Sequence, residues 1–142
     1  MKTVRDILAI KGRDVWCVDA GSTVFDALRL MAEKEIGALV VTDGMRLAGI
    51  IYERDYARKI VLLGRTSPNT LVREIMSPQI VYTHPNQPIE ECMAIITDRR
   101  IRHLPVLDEG KLVGIISIGD LVKSIIADQK FTIEQLERYI SG

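Results

Sequence analysis

Aromatic side chains are scarce in this 142-residue chain: they make up 5% of the residues, although 47% of the residues are hydrophobic. The core must therefore be built from aliphatic side chains and methionine, and the length is enough for one compact domain. Long apolar runs are also missing, because no stretch approaches the roughly 20 residues that a membrane-spanning helix requires. The N-terminus has no apolar signal core. The sequence therefore predicts a soluble, cytoplasmic protein without a membrane partner.

The chain has no excess of charge and few metal-binding or redox-active residues. Its 19 Lys plus Arg balance 19 Asp plus Glu, which disfavours a nucleic-acid partner and suits self-association. The two cysteines, Cys17 and Cys92, match no CxxC pattern, and we expect both to be buried, reduced thiols. The two histidines have no Cys or carboxylate cluster nearby, so no metal site is predicted.

The sequence repeats itself. Residues 24–59 and 89–124 align without a gap at a shift of 65 (89 − 24 = 65), and nine aligned pairs are identical, among them Gly49/Gly114 and Asp55/Asp120. Such a repeat predicts two related half-modules, with the functional site between them.

Apolar periodicity and turn residues predict the same order of elements in each repeat: strand, helix, strand, strand, helix. In the first repeat these elements are 15–18, 23–34, 38–42, 47–52 and 54–63; in the second they are 80–82, 88–99, 103–107, 112–117 and 119–127. Short leading helices are predicted at 4–8 and 72–76, and a last helix opens with a Thr132/Gln135 capping box. The fold class is α/β, with two repeats packed about an approximate twofold axis.

We therefore predict a single module over residues 1–142, with repeats at 4–63 and 72–127 and a C-terminal helix at 128–142. The helices carry apolar residues beyond one stripe, which indicates either well-buried helices or a face that builds a homodimer. The C-terminal helix could pack on the core or on a partner chain.

The pattern Gly-Ile-Ile-x-x-x-Asp follows the strand–turn–strand segments LVVTDGMRLAG and LPVLDEGKLVG. This pattern resembles the cystathionine-β-synthase (CBS) domain, and two copies in tandem resemble a stand-alone CBS pair, or Bateman module. The stretch from Arg102 to Val106 also matches the second strand common in that family. The resemblance covers nearly the whole chain. It implies β-α-β-β-α repeats and a sensor that binds adenosine-containing ligands in clefts between the repeats.

The resemblance implies AMP, ADP, ATP, NAD or S-adenosylmethionine as a regulatory ligand, with AMP or NAD favoured, and no catalytic cofactor. The signal would pass to a downstream partner protein. Two alternatives stay open: a structural dimerisation module with vestigial nucleotide sites, and an enzyme that acts on a nucleotide. Against the enzyme, the sequence has no Walker-type glycine-rich loop, no GxSxG and no HExxH.

Two aspartates are the first candidate ligand residues. Ser117 and Asp120 fit a helix capping box, whereas the resemblance implies that Asp120 binds a ribose diol. In the first repeat Tyr52 replaces the serine and Asp55 remains. Capping explains Asp55 less well, so ribose binding is expected at both aspartates. Tyr52 is expected either to stack on a base or to narrow the first cleft.

Phosphate groups require donors, which a helix N-terminus and its cations supply. Arg54 lies at such a position and is our predicted phosphate contact. By resemblance, Arg102 and His103 also touch phosphate, although His103 could equally be an ordinary strand histidine. The counterpart of His103 is Ala38, so the two clefts cannot be chemically equal.

The adenine is expected on the first strand of each repeat and the loop that follows it. By resemblance the contacts are Val18, Asp19 and Ala20 in the first repeat, and Tyr82, Thr83 and His84 in the second. Thr83 is the favoured side-chain contact, and the segment from His84 to Asn86 could equally be a plain turn.

Overall fold

The computed structural model describes residues 2–141 and divides into two compact units. The repeat-one unit is Val15–Val81, and the repeat-two unit combines the residues up to Asp14 with those from Tyr82 onward. Along the chain the elements are α1 (Val4–Lys11), β1 (Cys17–Asp19), α2 (Val24–Lys34), β2 (Ala38–Asp43), β3 (Arg46–Tyr52), α3 (Glu53–Asp55), α4 (Val72–Ile75), α5 (Ile89–Arg99), β4 (His103–Asp108), β5 (Lys111–Ser117) and α6 (Ile118–Ser141). The predicted α/β class is confirmed.

The repeat-one unit contains a three-stranded sheet in the order β1-β2-β3. Strand β1 runs parallel to β2, with α2 as the crossover, and β2 and β3 form an antiparallel hairpin. Helix α2 begins where expected because the hydroxyl oxygen of Thr23 accepts a hydrogen bond from the Asp26 backbone N–H at 3.1 Å. Its apolar face packs on the sheet in an aliphatic core that includes Val24, Ala27, Met31, Leu39 and Ile51.

The repeat-two unit has the matching hairpin β4-β5, but the predicted strand at 80–82 is wrong. Only Thr83 pairs with β4, in a single parallel bridge to Val106. The next hydrogen bond of a parallel ladder would come from the N–H of residue 105, which is Pro105 and has none. In the first repeat the equivalent residue, Val40, donates its N–H to the Trp16 carbonyl oxygen at 3.3 Å.

Two predicted helices also differ from the structure. The helix predicted at 54–63 is the short α3 followed by a π-helical turn, Tyr56–Val61. The predicted break near residue 128 and the new start at Thr132 are absent, because α6 continues to Ser141. No glycine or proline occurs between residues 120 and 141, so nothing in the backbone chemistry ends the helix.

The leading helices lie with the opposite repeat. Helix α1 opens the first repeat in sequence but belongs to the repeat-two unit, where the Val4 N–H donates to the Gln87 carbonyl oxygen at 3.0 Å. Helix α4 opens the second repeat but belongs to the repeat-one unit, where the Thr70 carbonyl oxygen, just before α4, accepts from the Val24 N–H at 2.8 Å. Each unit is therefore completed by the leading helix of the other repeat.

The expectation of two buried thiols holds for one cysteine only. Cys92 lies in the core, but Cys17 is exposed at the start of β1. Burial of part of each side chain still raises the pKa of both thiols.

Candidate functional site

Ser117 and Asp120 lie at the junction where β5 passes directly into α6. The Ser117 hydroxyl oxygen accepts a hydrogen bond from the Asp120 N–H at 3.1 Å, and Asp120 Oδ2 accepts one from the Ser117 N–H at 2.8 Å. These are the two reciprocal bonds of a capping box. The Arg102 carbonyl oxygen accepts from the Ile118 N–H at 2.9 Å, and His103 pairs with Ser117 across the hairpin. The backbone therefore brings these four predicted site residues to one place.

Asp120 also has a cationic partner that the sequence did not indicate. Lys11, the last residue of α1, places its Nζ 2.6 Å from Asp120 Oδ2 and 2.8 Å from the Ile115 carbonyl oxygen. Burial alone would raise the pKa of Asp120, but the hydrogen bonds from Lys11 and Ser117 and the lysine charge outweigh it. The pKa of Asp120 therefore lies below its ordinary value, and the carboxylate is ionised at neutral pH.

An open pocket of about 400 Å³ lies beside this ion pair, entirely within the repeat-two unit. Its lining residues come from α1, α6 and the segment before α1: Lys2, Ile7, Ile10, Lys11, Asp120, Lys123, Ser124 and Ala127. Three lysines thus share the pocket with one carboxylate. Lys2 pairs with Asp128 at 2.8 Å, whereas Lys123 forms no ion pair with any residue in the described range 2–141.

These three lysines were not predicted as site residues from the sequence. Two of them, Lys2 and Lys11, come from the N-terminal segment, more than 100 residues from Asp120 in sequence. Sequence periodicity reports which face of α1 is apolar, but not which unit that face packs against. Among the predicted site residues of this unit, Asp120 alone lines the pocket. The others do not line it: Tyr82, Thr83, His84, Arg102, His103 and Ser117.

The equivalent aspartate of the first repeat has a different setting. Asp55 Oδ2 accepts a hydrogen bond from the Tyr52 N–H at 2.9 Å, and Oδ1 lies 3.7 Å from Lys59 Nζ. The bond from the Tyr52 N–H to the Asp55 carboxylate is one of the two bonds of a capping box, and it does not require a side-chain hydroxyl on residue 52. Helix capping therefore accounts for Asp55 better than the sequence suggested. Asp55 is only 7% exposed, and its carboxylate is less open to a ligand within its unit than that of Asp120.

Tyr52 and Arg54 contact each other. The guanidinium carbon of Arg54 lies 4.8 Å from the centroid of the Tyr52 ring, a cation–π arrangement. The ring is 9% exposed, and this burial is the main reason that the pKa of Tyr52 is raised. A buried ring with a guanidinium on its face does not favour the predicted stacking on a base.

Four of the six predicted adenine contacts already form hydrogen bonds or packing contacts within their own units. The Ala20 carbonyl oxygen accepts from the Arg73 N–H at 3.1 Å, and Asp19 Oδ1 accepts from the Gly21 N–H at 2.7 Å. Val18 packs against the repeat-one core. The Thr83 side chain is 1% exposed, and its hydroxyl contacts Gln87 Oε1 and Cys92 Sγ. Tyr82 and His84 are exposed.

Neither a metal-binding side-chain cluster nor a membrane-spanning helix is found among residues 2–141. Between residues 2 and 141, no group of three or more His, Cys, Asp or Glu side chains could hold a metal ion. Within the same range, no helix is both long enough and apolar enough to cross a membrane.

The doubled hairpin-and-helix fold can be compared with known families. A family model for the CBS domain matches residues 4–62 and 72–127. The chain belongs to the CBS-domain family. The expected resemblance is confirmed, and both copies of the glycine-to-aspartate pattern lie within the matched ranges.

Similar CBS proteins occur in plants and bacteria. CBS domain-containing protein CBSX3, a mitochondrial protein of Arabidopsis thaliana, is 37% identical over 150 residues, covering 99% of this chain and 72% of that protein. The structure of a CBS-domain protein from Burkholderia ambifaria MC40-6 is 56% identical, covers 90% of this chain and 96% of that one, and has a TM-score of 0.87. A hexameric CBS-CP12 protein from bloom-forming cyanobacteria is 30% identical, with coverages of 85% and 66% and a TM-score of 0.75.

Proposed function

We propose that this CBS protein is a non-enzymatic sensor whose repeat-two unit binds the ribose and phosphate of an adenine nucleotide. The observation that carries the proposal is the pocket beside Asp120. The residue that the family uses for ribose is ionised there, and three lysines share the cavity with it. The volume of about 400 Å³ falls within the range of small-molecule sites.

The geometry of Asp120 suits a sugar diol. The bonds from Lys11 and Ser117 both end on Oδ2, and the structure gives Oδ1 no hydrogen-bond partner among residues 2–141. A carboxylate has room for about four hydrogen bonds in total. Both acceptor positions that remain are on Oδ1, which could therefore accept from the two ribose hydroxyls without breaking the helix cap.

The charge of the pocket favours a phosphorylated ligand. Lys2 and Lys11 are paired with Asp128 and Asp120, and Lys123 adds a positive charge that no ion pair among residues 2–141 offsets. An anionic phosphate is therefore attracted and a cationic sulfonium is repelled. AMP or NAD is accordingly favoured over S-adenosylmethionine.

The sugar contact can be tested with AMP and 2′-deoxy-AMP, whose binding to the wild type and to Asp120→Asn is measured by calorimetry and thermal melting. The wild type should prefer AMP, and a ligand at 100 times its dissociation constant should stabilise it by about 2.7 kcal/mol. Asp120→Asn should lose most of that preference. Asp98→Asn removes an exposed carboxylate of the same unit and serves as the charge-matched control. An unchanged preference in Asp120→Asn would remove the ribose role.

The phosphate contact is tested with Lys123→Met, because Lys123 lines the pocket and forms no ion pair with Asp120. This variant should bind AMP more weakly than the wild type and adenosine about equally well. Equal losses for both ligands would show that Lys123 shapes the pocket instead. If no adenine ligand raises the melting temperature of the wild type, the structural dimerisation module becomes the better account of this chain.

The first repeat is proposed as a second, different site that uses Arg54 and Asp55, in keeping with the absence there of a histidine equivalent to His103. The adenine contacts Val18, Asp19, Ala20, Tyr82, Thr83 and His84 stay predictions. A homodimer through the repeat helices and an unidentified downstream protein complete the proposal, and the hexameric CBS-CP12 relative supports self-association as a property of similar chains.

A further inference from the structure

Helix α6 is much longer than its packing requires. It has 24 residues, of which only Leu121 is buried, and every side chain from Gln129 to Ser141 is exposed. An isolated helix of about 12 residues is marginal in water. The second half of α6 therefore has no visible source of stability within the described chain.

The exposed side chains are not random in position. A stripe formed by Val122, Ile126, Gln129, Ile133, Leu136 and Ile140 runs along one side of α6 with alternating steps of four and three residues. This spacing is the a/d pattern of a helix that pairs with another helix, with Ile126, Ile133 and Ile140 at a. Five of the six positions are large and aliphatic, and all six are exposed. We call these six residues the α6 stripe.

The charges beside the α6 stripe distinguish between the two orientations of a pair. In the second half of α6, from Gln129 to Ser141, the charged e positions are Lys130 and Glu137, whereas the g positions Thr132 and Tyr139 are uncharged. In a parallel pair an e residue faces a g residue of the partner, so neither charge meets its opposite. In an antiparallel pair e faces e, and Lys130 can meet Glu137 of the partner subunit.

One antiparallel register brings Lys130 and Glu137 together and also pairs the four stripe residues of the second half of α6 in a/d layers. When Ile133 packs on Leu136 of the partner subunit, Gln129 faces Ile140 of the partner subunit. The same register places Lys130 beside Glu137 of the partner subunit. A twofold axis repeats every one of these contacts.

We propose that the second half of α6 is a dimerisation element, which pairs antiparallel with the same segment of a second copy of this chain through four residues of the α6 stripe: Gln129, Ile133, Leu136 and Ile140. The partner is a second copy because the segment is complementary to itself in both apolar spacing and charge. The pairing is independent of the nucleotide proposal and would persist without ligand.

Cysteine cross-linking tests the orientation directly, in a Cys17→Ser background because Cys17 is the exposed native thiol. Residues 129 and 140 are 11 positions apart, about 16 Å along one helix, which exceeds the separation of about 4.4 to 6.8 Å that a disulfide allows. The double variant Gln129→Cys/Ile140→Cys should therefore give covalent dimers under diamide, while each single variant should stay monomeric on a denaturing gel. This readout works even if another interface also holds the chains together.

A parallel pair would cross-link in both single variants, since each residue would face its own copy. Efficient dimers from either single variant, or no dimers from the double variant, would overturn the proposal.

Charge reversal supplies an independent test by sedimentation equilibrium at low salt. Lys130→Glu and Glu137→Lys should each weaken self-association by about tenfold, because two attractive pairs become repulsive. The combined variant should recover most of the loss. Ile133→Ser should weaken self-association at least as much, whereas Phe131→Ser, which changes a similarly exposed residue on the opposite side of α6, should not. If the combined variant associates no better than the single variants, the proposed register is wrong.

Discussion

Replacing Gly49 or Gly114 with alanine is the same change at equivalent positions of the two repeats, yet the structure predicts different costs. A Cβ atom on Gly49 would lie 2.5 Å from the backbone carbonyl oxygen of Ser77 and 3.0 Å from Met76 Sδ. A Cβ atom on Gly114 would lie 2.7 Å from Cδ2 of Leu8, the far end of a flexible side chain.

The cost at Gly49 is large because backbone must move. Ser77 is held by two hydrogen bonds to Ile50, at 3.1 and 2.9 Å, and losing both would cost about 2 kcal/mol. Overpacking adds about 1 to 3 kcal/mol to this cost. Alanine loses less backbone entropy on folding than glycine does, which offsets only about 0.5 to 1 kcal/mol of the cost. We expect Gly49→Ala to lower the free energy of unfolding by about 3 kcal/mol.

The cost at Gly114 is small because only the Leu8 side chain must turn. An off-rotamer leucine costs about 1 kcal/mol, which the same backbone term of about 0.5 to 1 kcal/mol nearly cancels. Gly114→Ala should therefore change the free energy of unfolding by less than about 1 kcal/mol. The difference between the two variants is about 3 kcal/mol.

Urea denaturation followed by circular dichroism measures this difference, and Gly49→Ala should move the midpoint down by about 1 to 3 M. A double-mutant cycle between Gly114→Ala and Leu8→Ala should show favourable coupling, since the leucine atoms that must move are gone. The reasoning is refuted if Gly114→Ala is as destabilising as Gly49→Ala.

Two further predictions concern titration and thiol chemistry. Burial raises the pKa of Asp120, but the hydrogen bonds from Lys11 and Ser117 outweigh that effect, so the pKa is lower in the folded chain than in the unfolded chain. The stabilisation that these hydrogen bonds provide is therefore present above the unfolded pKa and is lost as the pH falls through the folded pKa. Urea unfolding at pH 7 and pH 3 should therefore show a smaller acid-induced loss for Asp120→Asn than for the wild type; equal losses would contradict this linkage. Iodoacetamide should modify Cys17 in the native protein and Cys92 only after unfolding, because Cys17 is exposed and Cys92 is buried. Mass spectrometry counts the modified thiols. Rapid modification of both thiols in the native protein would contradict the burial of Cys92.

The two hairpins and the crossover helix α2 could be predicted from the sequence because their signals are local. Strand β2 was expected at 38–42 and is Ala38–Asp43, and its turn follows from the Asp43-Gly44 pair. The missing strand at 80–82 was also predictable in principle. Its signal is Pro105, which lies on the neighbouring strand rather than in the segment itself.

The Ser117–Asp120 cap was within reach of the sequence because its two residues are three positions apart on one helix start. The ion pair between Lys11 and Asp120 was not, because it joins residues 109 positions apart. The setting of Asp55 was misjudged for a related reason: its burial and its contact with the Tyr52 N–H depend on how the strand end packs, not on the missing hydroxyl.

The sequence by itself determined the doubled α/β pattern, the CBS family and the Ser117–Asp120 cap, since periodicity, turn chemistry and capping all act within a few residues. The tertiary structure alone decided that α1 packs in the repeat-two unit and α4 in the repeat-one unit, and hence that Lys11 lies beside Asp120. The physical reason is that an amphipathic helix specifies the face to be buried but not the surface that buries it. That choice is made by packing between segments that are far apart in the chain.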